Sequence, residues 1–181
     1  MIKTSSFRHE SAPELIETIR SEATKDQTRT AIILKTAYAD IYQPMYVGSP
    51  DFEEIRKALI QHCRKVMGND RLWISKDIWG LNYLHNEGTA PHVHNGVPYS
   101  VIWYLEADDG CGTLEFFRPY ESIEPEKDLC VIFEGDHLHG VLPAIDPDAK
   151  RVCIVGQLYD LDTMPNINHP KGFYDVDDEF A

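Results

Sequence analysis

Apolar residues recur along the chain in two rhythms, and the change between them falls near residue 70. Leu15, Ile16, Ile19 and Ala23 share one face at helical spacing, behind Ser11-Ala12-Pro13-Glu14. That segment has the form of a capping box, in which the Ser11 hydroxyl accepts from a free backbone N–H, Glu14 reaches back and Pro13 fits the first turn. The pattern predicts a helix over about Ala12 to Thr24. Phe52, Ile55, Leu59, Cys63 and Val66 repeat it. Here Ser49 is the cap, Pro50 takes the first helical position, and Asp51, Glu53 and Glu54 lie where the helix dipole favours anions. Gly68-Asn69-Asp70 stops the run. Between the two helices, Thr30 to Tyr42 carries Ile32, Ile33, Leu34, Tyr38 and Ile41, enough β-formers for one or two strands.

Beyond Arg71 the period shortens. Runs rich in β-branched and aromatic residues appear at Leu72–Tyr83, Tyr99–Glu106, Thr113–Phe117, Leu129–Glu134 and Arg151–Tyr159. Turn clusters such as Asp108-Asp109-Gly110, Glu134-Gly135-Asp136 and Asp146-Pro147-Asp148 separate them. Short strands with no helical period between them predict a sandwich or jelly roll, and two helices ahead of it make an α+β domain with a β core. The expected organisation is one domain over residues 1–181: helical and strand support in 1–70, the β core in 71–159, and an acidic, irregular surface tail in 160–181.

Composition narrows the function classes. A chain of 181 residues suits a single core, and 43% hydrophobic residues are too many for a disordered acidic chain. The formal charge of −13 argues against nucleic acid as a partner, since phosphate binding calls for a basic face. No run of 18 apolar residues exists and the N-terminal segment lacks the apolar stretch of a secretory signal, so a membrane span is not expected. Four widely spaced cysteines, Cys63, Cys111, Cys130 and Cys153, without CxxC spacing point to a reducing, cytoplasmic setting and away from a thiolate zinc site.

Of the eight histidines, four fall into two i, i+2 pairs, His92-Val93-His94 and His137-Leu138-His139. On a strand such a pair shares one face and aims two imidazoles at one point. Neutral imidazole is the commonest metal-ligating side chain and suits iron, zinc, nickel and copper. His92, His94 and His139 are therefore the candidate metal ligands. His137 is the uncertain member: if the strand ends between Phe133 and Gly135, it lies in the turn and points away. Isolated histidines such as His9, His62 and His169 read as solvated or hydrogen-bonded residues.

The stretch from Trp79 to Leu158 resembles the catalytic core of the non-haem iron(II), 2-oxoglutarate-dependent dioxygenases, in particular the small prolyl-hydroxylase-like and phage or bacterial branch. The resemblance rests on Tyr83, then His92-x-His94, the strand Ser100-Val101-Ile102-Trp103-Tyr104-Leu105, Gly112-Thr113-Leu114-Glu115-Phe116 and Pro119. It continues through Pro125 and Phe133 to Leu138-His139-x-Val141-x-Pro143 and Arg151-Val152-Cys153-Ile154. It implies a double-stranded β-helix, a form of jelly roll, with Fe(II) held by His92, His94 and His139. Arg151 would take the far carboxylate of 2-oxoglutarate, because a guanidinium is a fixed two-pronged donor. Tyr104 matches the family tyrosine that helps bind that carboxylate, and Tyr83 is a second candidate for the cosubstrate pocket. The implied reaction consumes O2 and 2-oxoglutarate and hydroxylates a C–H bond of an amino-acid side chain, peptidyl (for example prolyl) or free, or of a small molecule, releasing succinate and CO2.

One departure stands out: His94 occupies the position of the usual carboxylate ligand. Three neutral ligands carry one less negative charge, which should raise the reduction potential of a bound iron. Asp136 and Glu115 are the possible substitutes for the missing carboxylate. Trp103, Phe116, Phe117 and Phe133 are expected in the pocket lining or the core. Two other readings remain: a cupin-like three-histidine metal enzyme that does not use 2-oxoglutarate, and a non-enzymatic, metal-stabilised binding module.

Overall fold

Both helices form where the apolar spacing predicts them. The computed structural model describes residues 1–25, 50–75, 78–85 and 87–160, in which α1 spans Ala12–Lys25 and α2 spans Pro50–Met67. Leu15 and Ile19 of α1 and Ile55, Leu59, Ile60 and Cys63 of α2 are buried. Gly68, at φ +66°, ends α2 in the left-handed region that glycine enters without a Cβ penalty. The strands expected within Thr30 to Tyr42, the Ser49 cap and the tail beyond Asp160 lie outside the described residues.

Among the described residues, ten strands build two antiparallel sheets: β1 (Ile2–Ser6), β2 (Leu72–Ile74), β3 (Trp79–Tyr83), β4 (Thr89–His92), β5 (Tyr99–Ala107), β6 (Leu114–Phe117), β7 (Tyr120–Ile123), β8 (Leu129–Glu134), β9 (His139–Val141) and β10 (Arg151–Asp160). The larger sheet runs β1-β8-β5-β10, and the outer edge of β10 is shared: β3 covers its first half and β2 its end. The smaller sheet runs β4-β9-β6-β7. This two-sheet arrangement with two helices is the expected α+β jelly roll.

The central strands are covered on both faces, which is why they read as unbroken apolar runs rather than as alternation. Val101, Trp103 and Leu105 of β5, Cys130 and Ile132 of β8, and Val152, Ile154 and Leu158 of β10 pack toward the helices. Their neighbours Ile102, Tyr104, Val131, Phe133, Cys153 and Val155 face the other way, and meet Leu114, Phe116 and Val141 of the smaller sheet. Trp103 settles its expected role as core: its indole N–H donates to the carbonyl of Phe7 at 2.9 Å on the helix side. An ion pair from Arg20 to Glu106 ties α1 to β5. The candidate site lies between the two sheets.

Candidate metal centre

His92 and His139 face each other as register partners across the β4–β9 ladder, with ring centroids 4.3 Å apart. His94 joins them by a different route from the expected strand alternation, because β4 ends at His92. The His94 backbone N–H donates to the carbonyl of Gly135 at 2.6 Å, and the Gly135 N–H donates to Pro98 at 3.0 Å, so the turn after β8 holds the loop after β4. The His94 ring lies 5.0 Å from that of His92 and 5.1 Å from that of His139. One ring nitrogen from each of the three falls within 4.8 Å of the others, and no carboxylate belongs to the group among the described residues.

Hydrogen bonds set the orientation of two of these rings. His92 Nδ1 lies 2.8 Å from the carbonyl of Ala90, and His139 Nδ1 lies 2.7 Å from the carbonyl of His137. A carbonyl can only accept, so each Nδ1 carries the proton and each Nε2 keeps its lone pair, the usual state of a metal-ligating imidazole. Burial pushes His139 down to about 3, against the upward pull of the His137 carbonyl. Burial, with His92 beside it, pushes His94 down to about 4. Neutral rings with free lone pairs suit a divalent cation, so the donor set fits iron(II) and equally other metals that favour imidazole.

The other expected residues fall into two groups. His137 turns away: its Nε2 is 2.9 Å from the carbonyl of Arg118. Asp136 is exposed in the turn. Glu115 sits on β6 between Leu114 and Phe116, which face the space between the sheets, so its carboxylate faces outward and accepts from Ser122 and Thr113. Neither acid replaces the missing carboxylate. Phe133 packs edge-on to His139 at 4.6 Å, and Phe116 packs against Phe133.

Arg151 and the two tyrosines lie in the same interior. Arg151 is 1% exposed; its Nη1 donates to the carbonyls of Gly112 at 3.0 Å and Leu142 at 3.3 Å. Its Nε and Nη2 are buried without a partner among the described residues. A buried cation with open donors is costly, and two adjacent guanidinium donors match a carboxylate. Burial pushes the phenol of Tyr83 up to about 12 and that of Tyr104 well above its ordinary value, so both stay neutral. A cavity opens onto the three histidines; among the described residues Tyr83 and Thr89 add hydroxyls to its wall, and Trp79, Leu81, Ile102, Phe133, Val141 and Val155 complete it. Tyr83 is the expected residue that lines this cavity directly, while Arg151 and Tyr104 are packed beside it.

Three residues carry the site without having stood out in the sequence. A Cβ on Gly135 would lie 2.0 Å from the Val97 carbonyl oxygen, and one on Gly140 would lie 2.8 Å from that of Thr89, so both glycines allow close backbone approach around the histidines. Thr89, three residues before His92, places its hydroxyl 2.9 Å from that of Tyr83.

The sequence matches no family model and no curated protein. Solved structures do match. A viral collagen prolyl hydroxylase from Paramecium bursaria chlorella virus-1, solved as its 2OG complex, is similar at 14% identity with TM-score 0.63, over 87% of this chain and 94% of that one. The fold is that of 2-oxoglutarate-dependent oxygenases. A Trichoplax adhaerens prolyl hydroxylase, in complex with a hypoxia inducible factor oxygen degradation domain peptide fragment, gives TM-score 0.64 at 15% identity, over 89% of this chain and 84% of that one. A non-heme alpha-ketoglutarate-dependent epimerase from nogalamycin biosynthesis gives TM-score 0.66 at 11% identity, over 88% and 77%. The double-stranded β-helix is thus common ground, and proteins of different reaction types share it. The chemistry resides in the site, not in the fold.

Proposed function

We propose that this protein is an Fe(II)- and 2-oxoglutarate-dependent oxygenase that hydroxylates a C–H bond of an amino-acid side chain in a peptide, or of a small molecule. One observation carries the reading: a cluster of three ring nitrogens and a buried guanidinium with two open donors lie in one jelly-roll interior. In the net reaction, one oxygen atom of O2 enters the substrate as hydroxyl and the other enters succinate, while 2-oxoglutarate loses CO2. Iron, when bound, supplies the electron chemistry with O2 that closed-shell side chains lack.

The chain's own residues supply the rest. His92, His94 and His139 would hold the metal, with the Ala90 and His137 carbonyls fixing the orientation of two of the rings. Arg151 would orient the distal carboxylate and Tyr104 would assist it, while Tyr83 forms the adjoining wall. The apolar walls exclude water, which strengthens each charged contact. A peptide substrate is supported by the prolyl hydroxylase captured with its peptide. The charge of −13 favours a basic or neutral substrate over nucleic acid. Four free, buried cysteines fit a cytoplasmic setting, and no described helix is long and apolar enough to cross a membrane.

Anaerobic addition of Fe(II) and 2-oxoglutarate tests the reading. The expected results are a weak visible charge-transfer band and, after admission of O2, formation of succinate; absence of both overturns it. His94 in the carboxylate position favours a second reading, a three-histidine metal enzyme that does not use 2-oxoglutarate. Arg151→Ala separates the two, since it abolishes 2-oxoglutarate turnover in the first and matters little in the second.

A further inference from the structure

We propose that Thr89 is a positioning residue for the distal carboxylate of the cosubstrate, acting through Tyr83 on Arg151; the inference rests on the 2-oxoglutarate reading above. Thr89 begins β4, in the sheet that carries His92 and His139, whereas Tyr83 and Arg151 are register partners on β3 and β10 of the other sheet. No ladder joins β4 to β3. The 2.9 Å contact between the Thr89 and Tyr83 hydroxyls therefore crosses from the histidine sheet to the arginine sheet.

The phenol ring then acts on the guanidinium. Arg151 Cζ lies 3.9 Å from the centre of the Tyr83 ring. Stacking occupies one face of the guanidinium and leaves its in-plane edge available, and the donors on that edge include the unpartnered Nε and Nη2. The two carbonyls on Nη1 hold one end of the fork, and the Tyr83 ring fixes its plane. A Tyr83 side chain anchored at its hydroxyl by Thr89 keeps that plane set, and a bidentate carboxylate contact depends on it. Thr89 and Tyr83 also line the cavity that reaches the histidines, so the hydroxyl pair stands where a ligand extending toward Arg151 would pass.

The alternative is that the hydroxyl pair only satisfies two polar atoms inside the fold. In that case its loss would lower stability and weaken every ligand alike. The discriminating probes are 2-oxoglutarate and 2-oxobutanoate, which share the 2-oxo acid end and differ in the distal carboxylate. Titration calorimetry on anaerobic, Fe(II)-loaded protein measures both. Thr89→Val should weaken 2-oxoglutarate about three- to ten-fold, the range set by one lost hydrogen bond, and leave 2-oxobutanoate within about two-fold. Thr89→Ser, which keeps the hydroxyl, should restore binding. Tyr83→Phe should match Thr89→Val, and the double variant should add nothing further.

Equal weakening of both acids by Thr89→Val, or of neither, overturns the inference while leaving the oxygenase reading intact. Additive effects of Thr89→Val and Tyr83→Phe overturn it as well. If wild-type protein binds 2-oxoglutarate no better than 2-oxobutanoate, the oxygenase reading fails and the role of Thr89 falls with it. Should Thr89→Val not fold, the comparison of Tyr83→Phe with wild type on the same two acids decides the matter.

Discussion

Arg151 and Tyr83 are register partners across the β3–β10 ladder, and the guanidinium carbon of the first lies 3.9 Å from the ring centre of the second. A stacked cation of this kind gains about 0.5–2 kcal/mol. That gain does not offset the burial of a charge with two unsatisfied donors. The position is therefore held at a cost to stability, as expected where a ligand completes the set of contacts.

This imbalance predicts opposite effects on stability and binding. Arg151→Met, similar in reach and uncharged, should leave the ligand-free protein as stable as wild type or up to about 3 kcal/mol more stable, since replacing a buried charge by an apolar group relieves its desolvation. The same variant should lose any stabilisation by 2-oxoglutarate. Denaturant melts with and without the dicarboxylate check both. A variant clearly less stable than wild type that still responds to 2-oxoglutarate would show that Arg151 serves the Gly112 and Leu142 carbonyls alone.

Metal addition and removal should separate the two members of the second histidine pair. Fe(II) at about one hundred times its dissociation constant stabilises a folded protein by about 2.7 kcal/mol, and a chelator reverses this. His139→Ala should abolish that response, because His139 contributes to the nitrogen cluster. His137→Ala should retain it, because His137 faces the Arg118 carbonyl. Thermal melts under anaerobic conditions with and without metal provide the measurement, and equal loss in both variants would rule out the assignment.

The sequence displayed the helices and the long central strands because their apolar residues are numerous and regularly spaced. It hid β1, β4, β7 and β9. Three of these are sheet edges, where one side of the backbone needs no partner and polar residues are tolerated. β4 even contains Pro91, which argues against a strand in any other place. β9 has only three residues. The histidines were legible as a group from their spacing, yet the assumed route was wrong for His94, which converges through a loop. Thr89 and the two glycines were not legible, since their roles depend on a second segment distant in the chain.

Gly135 shows how narrow that dependence is. A methyl group there would meet the Val97 carbonyl oxygen at 2.0 Å and the His94 carbonyl oxygen at 3.1 Å, and backbone cannot yield as a flexible side chain does. Gly135→Ala should displace the His94 loop, lower stability by about 1–3 kcal/mol and weaken Fe(II) binding at least ten-fold. Metal titration beside a denaturant melt tests this. Retention of wild-type metal affinity would mean that the loop can shift without moving the His94 ring.

Glu115 offers the complementary test, a buried acid on the strand that pairs with His139 whose side chain faces away from the site. Burial tends to raise its carboxyl, but the Ser122 and Thr113 hydroxyls, at 2.6 and 2.5 Å, together with that of Tyr120, outweigh this and bring it below its ordinary 4.5. Ser122 is also its register partner on β7, so the carboxylate fastens the edge of the smaller sheet. A depressed carboxyl contributes stability that is present above its unfolded value near 4.5 and is lost as pH falls through the lower folded value. Glu115→Gln should accordingly cost about 1–2 kcal/mol at pH 7. The gap to wild type should close as the pH is taken down through and below 4.5, where wild type loses the same charge. Fe(II) binding should not change, since the carboxylate faces away from the histidines. Urea melts across the pH range decide it: a gap that stays constant from neutral to acid pH would show that the charge of Glu115 contributes nothing, and a lost metal response would return it to the site.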